Sequence, residues 1–269
     1  MLIRFLGIGL AAAILAGSQV SPLFADKPPS YTWEETLDPD RVERLLGAYV
    51  EAAQSRPDDY DVRISAAQLA FYAWRLEAAD NRARLRYATT AVRMSTEAVA
   101  LKPGRAEGHH WLGAGLGMVG LTRGVLNSLQ MVPDIKRAFD RSIEIDPDYL
   151  DASALGQLSR LLTMVPGFPV SIGSRSKAME YVREAAQRGP NQTLYPLYKA
   201  DLLWAAGDDE AALTELERIP AMKPESEIQF FTYETSKQKA KELAELIRSG
   251  ARRDPFYDVL SDIQPGIVN

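Results

Sequence analysis

The sequence predicts an all-α protein: helical hairpins stacked into an α-solenoid and closed by a C-terminal capping helix. Three observations lead there. Apolar residues recur at helical spacing from Val42 to Ile247. Prolines able to end a helix stand at 103, 147, 190 and 224, after the stretches A-L-K, I-D, Q-R-G and A-M-K. Each is preceded by a small-residue or Leu-Gly position, at Leu69, Leu112-Gly113, Leu155-Gly156 and Ala200. One helical hairpin cannot bury its own apolar face, so hairpins repeated in this way must stack.

The chain begins with a different pattern. Arg4 precedes an apolar run from Phe5 to Gly17, and Ser18, Pro22 and Ala25 follow. A basic start, a short apolar core and small residues beyond it read as a secretory signal peptide over residues 1–25. The run of 13 residues is short of the roughly 20 that a membrane-spanning helix needs. Cleavage is expected after Ala25, with Ser18 the alternative. Leu15-Ala16-Gly17 resembles the start of a lipoprotein box, but Ser18 stands where the lipidated Cys would be. The expected location is therefore periplasmic or secreted. Residues 26–37, with Pro28 and Pro29, read as a linker, 38–250 as the helical repeat domain and 251–269 as an irregular tail.

Within the repeat domain a first helix starts after Asp38, with Pro39 at its first position. It carries Val42, Leu45, Leu46, Tyr49 and Val50 and ends before Pro57. Helices are expected next over 61–76 and 82–101. The proline intervals, 44, 43 and 34 residues, then divide the chain into units. The two longer intervals place extra residues between the helices of a unit, at Gly120–Pro133 and Thr163–Ser176. These inserts hold Leu126, Leu129, Met131, Val132, Met164, Val165, Phe168, Val170 and Ile172. That is too apolar for two free loops in water. Most of these side chains are expected to pack inward, and the remainder to wall one end of a concave face. In the last unit Gly207 supplies the positive φ that closes a helix, and Asp208 or Asp209 caps the next. A long helix over 226–249 then caps the stack with a polar outer side.

Composition narrows the function classes. The chain has 269 residues, 46% hydrophobic and 25% charged, with a net charge of -5 and no cysteine. Nothing points to nucleic acid, and disulfides, thiolate metal sites and cysteine nucleophiles are excluded. His109 and His110, the only histidines, point about 100° apart on a helix and cannot easily share a metal. No His remains for a nucleophile–base pair. Gly113, Gly115 and Gly117 follow no strand, so they are close-approach positions between helices and not a dinucleotide loop. Catalysis, a metal and a cofactor are not expected.

The stretch from Tyr195 to Pro224, with Ala200, Gly207, Ala212 and Pro224 in register, resembles one tetratricopeptide (TPR) unit. Residues 106–249 carry further motifs: E-G-H-H-W-L-G-A-G-L-G, G-V-L-N-S-L, I-K-R-A-F-D-R-S-I-E-I-D-P and V-P-G-F-P-V-S-I-G-S-R-S-K-A-M-E-Y. On these the chain resembles the exported TPR proteins named as TatT-type components associated with tripartite ATP-independent periplasmic (TRAP) transporters. It is more distantly similar to the TPR domain of the regulator of microtubule dynamics family. The resemblance implies a scaffold that binds a protein or peptide, such as a periplasmic solute-binding protein, as an accessory of a TRAP-type transporter. The alternative is a periplasmic carrier of a small apolar ligand. TPR proteins bind with the surface lined by each unit's first helix. Carried over position by position, that surface is Arg63, Ala70 and Trp74, then His110, Ala114 and Met118. It continues with Gln157, Arg160 and Leu161, then Leu197, Asp201 and Trp204. Phe168 joins it from the second insert. A peptide scaffold should show an open groove, and a ligand carrier an enclosed apolar cavity.

Overall fold

A computed structural model describes residues 28–254 apart from 33, 78 and 79, together with 257, 259 and 260. The expected leader, residues 1–25, lies outside the described residues. Ten α-helices follow one another: α1 Pro39–Ser55, α2 Tyr60–Leu76, α3 Asn81–Leu101, α4 Ala106–Arg123, α5 Val132–Ile145, α6 Tyr149–Met164, α7 Arg175–Arg188, α8 Leu194–Ala205, α9 Asp209–Arg218 and α10 Glu227–Arg248. Among the described residues there is no strand, only an isolated bridge between Gly167 and Gly173.

Local chemistry sets the helix ends. Asp38, Asp59, Asp80, Ser174 and Asp208 each accept a hydrogen bond from a backbone N–H in the first turn of the helix they precede. Gly207, at φ +81°, closes α8. The helices pack as four units, α2–α3, α4–α5, α6–α7 and α8–α9, with α1 ahead of the first. Small residues set the spacing. A Cβ on Gly115 would meet the backbone N of Val92 at 3.0 Å, so α3 and α4 approach to near backbone contact.

α6 opens unusually. Leu150, Asp151 and Ala152 are left-handed, at φ 49°, 57° and 62°, which costs L-residues roughly 1–2 kcal/mol each. The surroundings hold the turn. The Tyr195 hydroxyl donates to the Asp151 carbonyl. The Asp151 carboxylate accepts from Ser226 Oγ at 3.2 Å and Gln229 Nε2 at 2.9 Å. α6, α8 and α10 are thus joined at one point.

Two expectations need correction. The stretch before α1 is not a free linker: Thr36 is buried in a 3-10 turn over Glu34–Leu37, and Tyr49 donates to the Pro29 carbonyl at 3.1 Å. α10 is more than an end cap. Its C-terminal half buries Ala240, Leu243, Ala244 and Ile247 with residues of α8 and α9. Its N-terminal half reaches the first unit, where Phe231 lies 4.5 Å from the Tyr72 ring and 5.9 Å from that of Phe71. Among the described residues after α10, Val259 and Leu260 are buried.

Candidate binding site

The inner side of the stack holds a hollow of about 120 Å³ that opens to solvent. First helices supply most of its wall: Trp74 from α2, Gly117, Met118 and Leu121 from α4, Leu161 and Met164 from α6, Tyr198 from α8. α5 adds Ile135 and Phe139, and α10 closes one side with Phe231, Thr232 and Thr235. No residue of α3, α7 or α9 lines it. The wall is mostly apolar, and among the described residues its charged members are Arg75 and Arg160. The concave groove is therefore narrowed into a pocket, because α10 crosses it.

Several expected residues meet here. Trp74, Met118, Gln157 and Arg160 line the hollow. Trp74 is held from two sides: its Nε1 donates to Thr122 Oγ1 at 2.9 Å, and the Arg84 guanidinium lies 4.3 Å from its ring. His110 lines a smaller adjoining pocket with Gln157, Gln192 and Thr232. It is 3% exposed and ringed by Trp111, Phe139 and Tyr149 at 5.2–5.8 Å. Its Nδ1 has no hydrogen-bond partner among the described residues. Burial without a counter-charge pushes its pKa down to about 3, so this is a neutral imidazole at neutral pH.

Others lie elsewhere. Arg63 does not face the hollow. It donates to the carbonyls of Ala53, Arg56 and Asp59 and pairs with Glu97 at 3.0 Å, tying α1, α2 and α3 together. Phe168 is 94% exposed and does not touch the hollow. The expectation that it walls the same space as Arg160 and Trp204 is corrected. Its loop is pinned by bonds from Gly173 N to the Pro166 carbonyl and from Ser174 N to the Leu162 carbonyl, which turn its tip to solvent. Trp204 and Asp201 are buried under the C-terminal segment. Sequence reasoning missed Phe231 and the threonines of α10. Their only signal was the apolar stripe of a helix taken for a cap.

Solved structures resemble this arrangement. A thermophilic TPR protein of Thermus thermophilus, TTC0263, superposes with a TM-score of 0.53 at 14% identity, covering 74% of this chain and 92% of that one. The fold is TPR-like. MamA matches with a TM-score of 0.46 at 13% identity, covering 81% and 99%. The family model of regulator of microtubule dynamics protein 1-3 matches residues 32–157, from ahead of α1 into α6. None of the curated proteins matches the sequence significantly. Among the described residues no three His, Asp or Glu side chains gather as metal ligands, and no helix is long and apolar enough to cross a membrane.

Proposed function

We propose that the protein is a non-catalytic binding scaffold whose inner hollow takes a small apolar ligand. One observation carries this reading: the groove that a TPR-like stack leaves open is crossed by α10 and becomes an apolar pocket. Ligand pockets are concave and mostly apolar, with a few polar groups that orient the guest. Here Arg75, Arg160 and Gln157 are those groups. The experiment is a titration with N-phenyl-1-naphthylamine, whose emission rises in apolar surroundings. A Cβ on Gly117 would meet nothing within 4 Å, so Gly117→Leu should fill the hollow without disturbing α4. Dye binding that survives this substitution unchanged would place the guest elsewhere.

A second reading, a scaffold for a protein partner, is favoured by the inner face of α8, where Asp201 and Trp204 are engaged by a non-helical segment. Export and an accessory role beside a TRAP-type transporter belong to the same proposal. The leader pattern and the motifs of residues 106–249 support them. N-terminal sequencing of protein from its native host should begin at or after Gln19; intact chain in the cytosol would refute export.

A further inference from the structure

The C-terminal segment lies on the face of α8 that the first-helix register assigns to ligand contact. Arg253 grips Asp201 with both arms of its guanidinium. Nε donates to Oδ1 at 2.6 Å and Nη2 to Oδ2 at 2.9 Å, and each side chain is 5% exposed. Nη2 also donates to the Tyr257 carbonyl at 3.1 Å, which folds the segment back on itself. The Tyr257 ring then meets Trp204 edge-on, 5.5 Å between centroids at 89°. Beyond it Leu260 is buried and joins the wall of the hollow.

Ending a stack does not require this chemistry. A buried ion pair is a poor source of stability, because desolvating both charges offsets much of their attraction. What a bidentate Arg–carboxylate pair supplies is orientation and selectivity. Arg and aromatic anchors in dry, well-packed sites are the signature of partner recognition. The segment therefore has the character of a peptide ligand that happens to be covalently attached. Attachment gives it a high effective concentration over any free competitor.

We propose that Asp201 and Trp204 form a recognition site for a non-helical segment presenting an arginine and, four residues on, an aromatic ring. Arg253 and Tyr257 of this chain occupy that site in cis. A partner segment of the same chemistry displaces them and frees the end of the hollow that Leu260 fills. This deepens the reading of the protein as a binding scaffold and rests on it.

The probe is a fluorescein-labelled peptide of residues 251–260, A-R-R-D-P-F-Y-D-V-L, followed by anisotropy on the full chain. The parent should bind it weakly, because its own tail holds the site. The chain carrying Arg253→Gln and Tyr257→Ala should bind it at least about tenfold more tightly. Adding Asp201→Asn, or replacing the second of the peptide's two arginines, the one that corresponds to Arg253, by alanine, should abolish that gain. If the double variant does not fold by circular dichroism, Arg253→Lys takes its place. It keeps the charge, loses the fork, and should gain in the same direction. A folded tail variant that binds no better than the parent overturns the proposal, as does a peptide lacking its second arginine that binds equally well. The dye titration reads a different event. Peptide binding without dye binding would remove the ligand reading and leave this site standing, and dye binding without peptide binding would do the reverse.

Discussion

The second and third units, α4–α5 and α6–α7, share a frame. Gly113 and Gly156 stand at the same place in their first helices, and each leaves a niche that one aromatic ring fills. The rings come from opposite directions. A Cβ on Gly113 would meet Phe139 of its own second helix at 2.9 Å, whereas one on Gly156 would meet Tyr195 of the next unit at 2.6 Å. The residue equivalent to Phe139 in the third unit is the smaller Val182, which is fully buried. Volume lost from one side is made up from the other, as interiors packed to crystal density require. The inserts differ as well. The first winds into a 3-10 turn over Leu126–Met131, buries Ser128 and lends Val125 and Ser128 to the hollow. The second turns its tip outward, with Phe168, Val170 and Ile172 exposed. Equal spacing in a repeat fixes where an element begins and leaves its direction to whatever volume is vacant.

That comparison can be broken. The largest effect is expected from Phe139→Ala, which empties a niche that Gly113 cannot refill. The loss should be about 3–5 kcal/mol by chemical denaturation. Val182→Ala, at the matched position, should cost clearly less, because Tyr195 and not Val182 fills that niche. Equal losses would mean that the two niches are not complementary.

Acid separates the two units next. His110 of the second unit corresponds to Ser153 of the third. Burial holds the His110 pKa at about 3, below the unfolded value near 6.5. A depressed folded pKa gives stability that is complete above about pH 6.5 and lost as pH falls toward 3. His110→Gln should flatten that part of the stability–pH curve, while Ser153→Ala should leave its shape unchanged.

Gly156→Ala comes third. The added methyl presses on a ring whose hydroxyl is tied to the Asp151 carbonyl. Overpacking should outweigh the gain in helix propensity and cost about 1–3 kcal/mol. Combined with Tyr195→Ala, the two losses should sum to less than their separate values. The smallest effect is expected from Phe168→Ser, within about 0.5 kcal/mol by thermal or urea unfolding. A larger loss would show that the second insert packs like the first.

Much of this was legible in the chain. The Asp and Ser caps, the glycine at 207 and the terminating prolines act within a few residues, so the helix boundaries could be read locally. The period of 43 or 44 residues placed Trp74, Met118, Gln157 and Arg160 on first helices, and these do line one hollow. Arg63 and Phe168 escaped the same reasoning. A side chain's helical face says which way it leaves the axis, and not which neighbour waits there. For Arg63 three backbone carbonyls waited; for Phe168, water.

What the sequence determined by itself, then, is the succession of helical hairpins and the register of the units, because capping, helical periodicity and chain termination are short-range. Only the tertiary structure decided that α10 crosses the inner face, that the chain's own tail holds Asp201 and Trp204, and that one insert lies in while the other stands out. The first two depend on volume and charge brought together from residues about 50 to 160 positions apart. At those separations closing the chain adds only slowly to the entropy cost, so complementarity of the meeting surfaces selects the outcome.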